Sequence, residues 1–599
     1  MVRGGYTFSN GRCAIMKLCE SSDAYRAALD KSREKAKWAR ENFADNAEWI
    51  SGWAHNFGCP RCSAMMTADL SMPYNAPNVF TCPVCGEHAS SKDHDEAWVY
   101  FYRSRYGALT YASAVSAIMG DTEALDFLIR YLDFYADNYE KFEVHGKHAG
   151  KGKIMEQALD EAVWTIDVLS SLNACGSLIP EEKRIYWRDK LFLPITELIM
   201  PQADRIHNIP TWLMCATGAI GIYFGIDELL DHALNSTFGL RRQIEQGFTA
   251  DGIWYEGSMT YHYYTASALS GFFSFYAALC PDDPIFESYA RIYTAPLALS
   301  YDGRHLSALN DGWYPNSIPM SLIASRITGD GALISANREL IDEAPYEMID
   351  EKTLLFGLVE SDFVLMAATR LAVIKKPLHV ILKAGVIANS HMHRDCLSTR
   401  IAPFSEDLGT PGYGHVLTKE WYRFGAAHNA VCVDLAQPTH TVETYMTERN
   451  GAAVAGVAGG AWADLELAER SVSASGDEII DLTELKAPTE HTYDWIFHSR
   501  GTATYSCDAE CEVESLGEGE GYQYITEIRK MRADGRFEAT FTLADGQTLS
   551  LTVPETDGLE VYVAKSPDNP ANNMRSTVIL RRRAKEARFR AVFGKKNNA

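Results

Sequence analysis

Residues 251–264 form the segment of this sequence with the densest collection of chemically capable side chains. The segment contains four tyrosines, a tryptophan, a histidine and two carboxylates, Asp251 and Glu256. Because every buried O–H and N–H group needs a hydrogen-bond partner, a helix that only fills a core rarely collects so many polar aromatic side chains. The mixture suits a carbohydrate site, where rings stack on sugar faces. An aromatic helix start in a packed interface is the alternative.

Two pairs of cysteines near the amino terminus have the spacing of a metal site. Cys59 and Cys62 form the first pair, and Cys82 and Cys85 form the second pair 19 residues later. Four thiolates in this arrangement favour tetrahedral Zn²⁺ and leave no open coordination position for catalysis. A redox pair and a nucleic-acid-binding zinc ribbon are the alternatives. The surrounding sequence is not basic, so a structural zinc site is favoured.

A second candidate metal cluster combines three histidines and an aspartate within residues 391–428. These residues are His391, His393, Asp407 and His428. If His391 and His393 share a strand, their side chains point to opposite faces. One of them then joins Asp407 and His428 in a two-histidine, one-carboxylate site, while the other faces a cleft. Single histidines are more often core or surface residues, but their concentration here favours a metal site.

Two further polar segments have both a structural and a functional interpretation. His207 and Asn208 precede an apolar helix, where they either cap the helix or form a corner that binds a carboxylate. Taken alone, the cap is favoured. The second segment is a polar stripe at helical spacing, which a solvated helix face explains as well as a cleft wall does. The stripe consists of Lys153, Glu156, Gln157 and Glu161.

The elements that must position these residues change in type along the chain. From about 100 to 345 the apolar residues recur at three- and four-residue steps, which predicts helices over 106–119, 125–135, 154–174, 184–200, 211–224, 226–248, 262–280 and 284–298. Beyond about 360 the period changes to two, as in Phe537–Leu543, Leu549–Val553, Leu559–Val563 and Phe589–Phe593. Helices followed by strands indicate separate domains and not an interleaved sheet.

Composition restricts the possible partners. The 56 basic and 79 acidic side chains give a formal net charge of −23, which argues against nucleic acid as a partner. No apolar segment is long enough to span a bilayer, so no membrane partner is expected. The amino terminus has no signal-peptide core, and the 13 cysteines are mostly scattered. We expect a cytoplasmic protein, or a periplasmic or secreted one if a leader has been removed.

Read in order, the motifs resemble those of the heparinase II/III-like polysaccharide lyases. The similarity spans roughly residues 100 to 599, and the amino-terminal cysteine motif is similar to that of some other members. The motifs that carry the resemblance are His207-Asn208-Ile209-x-x-Trp212, Asp251-Gly252-x-Trp254-x-Glu256-Gly257-Ser258-x-x-Tyr261-His262, His391-x-His393-x-Asp395, Asp407-x-Gly409 and Tyr422-Arg423-x-x-x-Ala427-His428-Asn429.

The resemblance implies a multidomain α+β fold. It consists of an amino-terminal segment with the zinc knuckle (1–100), an incomplete (α/α) toroid (101–350) and an antiparallel β-sandwich domain (351–599). The implied activity is β-elimination in uronic-acid polysaccharides, for which the substrate carboxylate must be neutralised so that an enolate-like intermediate can form.

The resemblance also implies catalytic roles. Asn208 and His207 neutralise the uronate carboxylate, and which of them touches it stays open because some branches have the reverse order. Tyr261 protonates the leaving oxygen and, for one sugar epimer, also removes the C5 proton. His391 is the base for the opposite epimer, and Tyr413 is a second phenol candidate.

The same resemblance implies binding residues and a metal. Trp254, Glu256 and His262 form the setting of Tyr261 and are expected to contact substrate. The candidate cations are Arg423 and Arg394. A divalent metal, with zinc expected, lies at a site that ties strands together and does not activate water. Its ligands are His393, Asp407 and His428.

The predicted substrate is an acidic polysaccharide or oligosaccharide. Glycosaminoglycans such as hyaluronan, chondroitin or heparan sulfate come first, and alginate comes second. A glycoside hydrolase with Asp251 and Glu256 as acid and base is a rival, as is a non-catalytic glycan-binding protein. The sequence does not indicate an oligomeric state.

Overall fold

The protein is described here by a computed structural model that covers residues 8–21, 23–62, 64–66, 79–148, 150–301, 306–313, 361–385 and 391–595. The chain forms two compact units. In the described residues, the first unit takes the chain up to Phe248 together with Tyr263–Thr294. The second takes Thr249–His262, 295–301, 306–313 and the chain from 361 onward. Helices dominate the first unit and antiparallel strands the second, which confirms the predicted fold class.

The helical part begins near the amino terminus and continues to Thr294. Its α-helices are α1 (Phe8–Ser21), α2 (Asp23–Asn42), α3 (Lys92–Ile118), α4 (Thr122–Asn138), α5 (Ala158–Cys175), α6 (Glu181–Trp187), α7 (Leu193–Ile199), α8 (Asn208–Phe224), α9 (Asp227–Asn235), α10 (Leu240–Gly247), α11 (Met259–Leu279) and α12 (Ile285–Thr294). Among the described helices, none is long and apolar enough to cross a membrane.

Local capping explains where several of these helices begin and end. Ser91 precedes α3, and its side chain accepts a hydrogen bond from the backbone N–H of His94. Asp121 caps α4 in the same way. Such side chains satisfy N–H groups that have no partner within the helix. At the other end of α8, Gly225 adopts a left-handed conformation with φ of 68°, which ends the helix.

Several helical predictions differ from the structure, and the helix predicted from 106 is part of α3, which begins at Lys92. The block predicted over 226–248 is two helices, α9 and α10, and a π-helical turn at Arg188–Phe192 interrupts the block at 184–200. The block predicted from 154 begins only at Ala158. The interpretation of the polar stripe as a solvated helix face is therefore wrong. Part of it precedes α5, and Glu156, Gln157 and Glu161 are buried.

The strands are antiparallel throughout. A short hairpin in the first unit consists of β1 (Phe80–Thr81) and β2 (His88–Ala89). The strands of the second unit are β3 (Phe363–Met366), β4 (Leu371–Ile374), β5 (His379–Lys383), β6 (Ser398–Ala402), β7 (Val431–Val433), β8 (Thr444–Arg449), β9 (Ala452–Val457), β10 (Leu467–Ser475), β11 (Glu478–Ser499), β12 (Thr502–Tyr505), β13 (Ala509–Glu512), β14 (Thr526–Met531), β15 (Phe537–Thr542), β16 (Thr548–Val553), β17 (Glu560–Pro567) and β18 (Met574–Lys595).

Two long strands organise the larger sheet. Its main path runs β12-β15-β16-β18-β11-β10-β9-β8, while β3-β4-β5-β6 form a separate four-stranded sheet. The 22-residue strands β11 and β18 pair from Glu478 opposite Gly594 to Ser499 opposite Ser576, with an irregularity between Lys486 and His491. The alternation predicted over 537–593 is confirmed, because β15 to β18 occupy those positions.

The core of the second unit lies between these two sheets. Val380 and Leu382 of β5 belong to the same buried cluster as Val472 of β10 and Leu485 of β11. Each fully buried aliphatic side chain of this kind contributes roughly 1.5–3 kcal/mol relative to exposure. This sandwich supports the loops that carry the functional residues.

Candidate functional site

Tyr261 lies in the first turn of α11 and belongs to the polar aromatic segment 251–264. Gly257 precedes the helix with φ of 70°, and a Cβ at this position would lie 2.7 Å from Met392 Cε. Ser258 Oγ accepts a hydrogen bond from the backbone N–H of Tyr261 at 3.4 Å and donates one to the Asp311 carbonyl at 3.0 Å. The turn therefore fixes the direction of the Tyr261 side chain.

Tyr261, Tyr413 and His391 form one connected group. The Tyr261 and Tyr413 hydroxyls are 2.7 Å apart, and the Tyr413 hydroxyl is 2.9 Å from His391 Nδ1. The Tyr261 ring also stacks on the His391 ring, with centroids 3.6 Å apart. Burial raises the pKa of Tyr261 and of Tyr413, so both phenols keep their protons near neutral pH. Three residues predicted to be catalytic thus share one hydrogen-bonded chain.

Trp254, Glu256 and His262 are fully buried behind this group. Trp254 Nε1 donates to Glu256 Oε2 at 2.6 Å, and the Trp254 backbone N–H donates to His262 Nδ1 at 3.0 Å. Glu256 Oε1 lies 3.5 Å from His391 Nε2. These contacts make the three residues a support for Tyr261 and His391. Their predicted role as direct sugar contacts remains a prediction.

Asp311 is a residue of this site that the sequence interpretation missed. Its carboxylate lies 3.4 Å from His391 Nδ1 and 3.0 Å from His393 Nε2, and it accepts two hydrogen bonds from Arg423. Burial alone would raise the pKa of Asp311, but hydrogen bonds from His391 and His393 and the charge of Arg423 hold it well below its usual range. The one sequence signal is the turn-forming Asn310-Asp311-Gly312 segment.

The arginines predicted to be cationic candidates have different surroundings. Arg423 pairs with Asp311, and its guanidinium lies 5.8 Å from the centre of the Tyr413 ring. Arg394 instead pairs with Glu520 at 2.6 Å. Arg423 is therefore the cation of this group, and its contact with substrate remains a prediction.

His393, Asp407 and His428 come together as predicted for a metal site. One potential ligand atom from each lies within 4.8 Å of the others, and all three side chains are buried. His391 and His393 lie in an irregular segment and not on a strand, so the strand assumed for them is wrong. The expected separation still holds, because His393 joins Asp407 and His428 while His391 joins the tyrosines.

The surroundings of these three residues fit a divalent cation. His393 Nδ1 is buried and has no hydrogen-bond partner among the described residues, while its Nε2 faces Asp311. His428 Nε2 faces the Tyr422 carbonyl at 2.9 Å, while its Nδ1 lies 3.8 Å from Asp407 and 3.3 Å from the guanidinium of Arg400, which also pairs with Asp407. Burial lowers the pKa of His428 to about 3, so its ring is neutral, as a metal ligand requires. Acceptor groups that bind the other ring nitrogen of a metal-binding histidine, and so orient its ring, are typical of such sites.

The four cysteines of the amino-terminal motif also converge. Cys59 and Cys85 sulfurs are 3.5 Å apart, and Cys62 and Cys82 sulfurs are 3.6 Å apart. Tetrahedral Zn–S bonds of about 2.3 Å require sulfur separations of about 3.8 Å, close to these values. The backbone N–H of Arg61 also points at Cys59 Sγ. The donor set fits a closed structural zinc site.

His207 and Asn208 belong to the first unit and begin α8. His207 is the N-cap residue, with Nδ1 accepting from the Ile209 backbone N–H at 3.3 Å, so the capping interpretation is confirmed. The His207 backbone N–H donates to Gln243 Oε1 at 3.0 Å. Asn208 is buried. Their role in neutralising a uronate carboxylate remains a prediction.

Comparisons with known proteins give sequence relatives, which match part of the chain, and solved structures, which match its fold. No family model matches the chain. An alginate lyase from Stenotrophomonas maltophilia is 28% identical over 35% of this chain and 28% of the relative. An exo-oligoalginate lyase from Saccharophagus degradans is 28% identical over 40% of this chain and 35% of the relative. The matched segments thus cover about a third of each relative's length.

The solved structures share the fold over nearly the whole chain. The heparinase III BT4657 gene product has a TM-score of 0.60 at 12% identity, covering 100% of this chain and 92% of its own. Heparan sulfate lyase HepC from Pedobacter heparinus has a TM-score of 0.56 at 12% identity, with the same two coverages of 100% and 92%. The chain is therefore similar in sequence to alginate lyases over part of its length, and it shares the fold of heparinase III-type lyases over nearly all of it, in agreement with the resemblance seen in the sequence.

Proposed function

We propose that the protein cleaves uronic-acid polysaccharides by β-elimination. The observation that carries the proposal is the chain Tyr261–Tyr413–His391, in which two phenols and an imidazole are connected through hydrogen bonds. The phenols are proton donors and the imidazole is a proton acceptor, and the hydrogen bonds connect all three in one cluster. Elimination requires both, because one bond to hydrogen breaks while another forms.

The reaction balances with these groups alone. A base removes the C5 proton of the uronate, the electron pair forms the C4–C5 double bond, and the C4–O bond breaks. The leaving oxygen then takes a proton from an acid. The raised pKa of Tyr261 keeps its hydroxyl protonated and therefore suits it to the acid step. His391 is the base for one epimer. For the other, Tyr261 first passes its proton through Tyr413 to His391, and its phenolate then takes the C5 proton and gives it to the leaving oxygen.

The enolate-like intermediate needs its carboxylate charge neutralised. We assign this role to Asn208 and His207 on the family resemblance. Arg423 is the cation that assists this neutralisation, because it lies beside Tyr413 and 29% of its side chain is exposed. Lys or Arg partners of this kind stabilise developing negative charge more strongly in a dry site than in water.

Two metal sites complete the proposal. A divalent ion, with zinc favoured, would be held by His393, Asp407 and His428 and would fix the loops below His391. A second zinc would be held by Cys59, Cys62, Cys82 and Cys85. In both sites the metal would supply structural cross-linking, and the proton steps stay with the tyrosines and His391.

Among uronans, the comparisons favour alginate. Both curated sequence relatives are alginate lyases, whereas the heparinase structures share only the fold at 12% identity. This reverses the order expected from the sequence, where glycosaminoglycans came first. The hydrolase alternative is weakened because Asp251 Oδ2 accepts from the Thr369 backbone N–H at 2.7 Å and Glu256 is buried against Trp254.

The experiment that tests the proposal is a screen for products that absorb in the near ultraviolet. Alginate, hyaluronan, chondroitin and heparan sulfate are each incubated with the protein, because only a lyase creates the C4–C5 double bond. Tyr261→Phe should lower kcat by roughly 10²- to 10⁴-fold, the range for a lost general acid or base. Tyr263→Phe, two residues further along α11, is the matched control. Saturated products, or full activity in Tyr261→Phe, would contradict the assignment.

A further inference from the structure

Asp311 lies where three functional side chains meet. Its Oδ1 accepts a hydrogen bond from Arg423 Nε at 3.1 Å and lies 3.0 Å from His393 Nε2. Its Oδ2 lies 3.4 Å from His391 Nδ1 and accepts from the Arg423 terminal nitrogen. The carboxylate is fully buried. A single side chain therefore contacts the predicted base, a predicted metal ligand and the nearest cation.

The backbone around Asp311 holds this carboxylate in place. The Asp311 N–H donates to the His391 carbonyl at 2.9 Å, and the Asp311 carbonyl accepts from Ser258 Oγ at 3.0 Å. Asn310 has a left-handed φ of 61°, which costs free energy for a residue other than glycine. Its Oδ1 accepts from the His393 backbone N–H at 3.2 Å. Side-chain and backbone hydrogen bonds thus connect the segment 310–311 with the segment 391–393.

A buried carboxylate needs compensating positive charge, which Arg423 supplies. A neutral imidazole has one N–H donor and one acceptor nitrogen. When His393 donates from Nε2 to Asp311, its Nδ1, which is buried and has no hydrogen-bond partner among the described residues, becomes the acceptor that can bind a metal. The same carboxylate restricts rotation of the His391 ring, which stacks on Tyr261.

We propose that Asp311 is a positioning residue that fixes both the His391 ring and the His393 ring, and so links the catalytic group to the metal site. The role of His391 rests on the proposed function, whereas the role of His393 concerns metal binding alone. Because one carboxylate serves both rings, a change at this position has to alter catalysis and metal affinity together.

The test compares Asp311→Asn with Asp494→Asn in the full chain. Asp494 is an equally buried aspartate that pairs with Arg581 and accepts from Tyr522, within the larger sheet. Co²⁺ titration of metal-free protein separates the sites, because only the four-cysteine site gives thiolate charge-transfer absorbance. Asp311→Asn should weaken binding at the histidine site by roughly 10- to 100-fold, the range for losing the hydrogen-bond partner of a metal-binding histidine, and leave the cysteine site unchanged.

The kinetic part of the test uses the ultraviolet assay. Asp311→Asn should lower kcat about tenfold or more while KM stays within about threefold, since the residue orients catalytic groups and does not bind substrate. Loss of only one of the two properties, or of neither, overturns the link. Asp311→Ser, which introduces no larger group, is measured by the same criteria if Asp311→Asn does not fold. If the wild-type protein makes no unsaturated product, the proposed function fails and the Co²⁺ titration alone decides the role of Asp311.

Discussion

Tyr413→Phe is the substitution that most directly tests the hydrogen-bonded chain. It removes one hydroxyl and keeps the aromatic ring, so the packing around residue 413 changes little. The lost hydroxyl is the middle member of the chain, 2.7 Å from the Tyr261 hydroxyl and 2.9 Å from His391 Nδ1. Without it, Tyr261 and His391 still stack, but the hydrogen-bonded connection between them through residue 413 is gone.

The magnitude follows from those two hydrogen bonds. Each contributes roughly 0.5–1.5 kcal/mol net, so about 1–3 kcal/mol of orientation is lost. At 1.36 kcal/mol per tenfold change in rate, kcat should fall roughly 5- to 150-fold. KM should change little, because the binding surface keeps the same ring.

The assay is the initial rate of unsaturated product formation, measured together with the thermal unfolding midpoint. Tyr522→Phe is the matched control, because the buried Tyr522 hydroxyl donates to Asp494 Oδ2 at 2.7 Å within the larger sheet. This control should lose stability and keep its kcat. A Tyr413→Phe variant with kcat within about twofold of the wild type would refute the reasoning, since hydrogen bonds to the reacting groups could not then matter.

Two further predictions concern stability. Arg470 is fully buried, pairs with Asp481 at 2.9 Å and donates to the Leu397 and Asn429 carbonyls. Arg470→Met leaves the buried Asp481 carboxylate without its partner, so it should lower the free energy of unfolding by about 3–5 kcal/mol in denaturant titrations. Simultaneous Asp481→Leu should recover much of that loss, and an additive loss would contradict this account. His491 lies between Asp434 and Asp464, and the hydrogen bond with Asp434 is the largest cause that raises its pKa above 6.5. The stability that a raised folded pKa contributes is fully present below the unfolded value of about 6.5 and is lost as pH rises through the folded value. The thermal midpoints of wild type and His491→Gln should therefore differ most below about pH 6.5 and converge once the pH exceeds the folded pKa of His491.

Periodicity predicted the elements well where a segment is long and one face is buried. The alternation of Phe537, Ala539 and Phe541 gave β15, because side chains of a strand point alternately to core and solvent. The same argument predicted one helix over 226–248, where the structure has two. The residues between α9 and α10 include Gly239, which marks a break that periodicity does not register.

The site was predictable where residue type carries the chemistry and not where contact geometry decides it. Tyr261, His391 and the candidate metal ligands stood out as phenol, imidazole and carboxylate groups within recognisable motifs. Trp254 and Glu256 are also polar-tipped residues of a recognisable motif, yet they are buried against each other. The sequence did not predict this burial, because an irregular segment has no period that tells which side chains face outward. Asp311 lies 80 residues from its contact His391 in a short turn, so no local pattern could connect them.

The placement of β18 has a consequence for the order of folding events. It is the last described strand along the chain, yet it lies inside the sheet, paired with β11, β16 and β17. Its pairing with β11 joins residues such as Glu478 and Gly594, which are far apart in sequence. Non-local pairing of this kind slows folding, because the loop entropy must be lost before the contacts form. The second unit should therefore fold late and slowly, with the unpaired edges of β11 and β16 exposed to aggregation until β18 inserts.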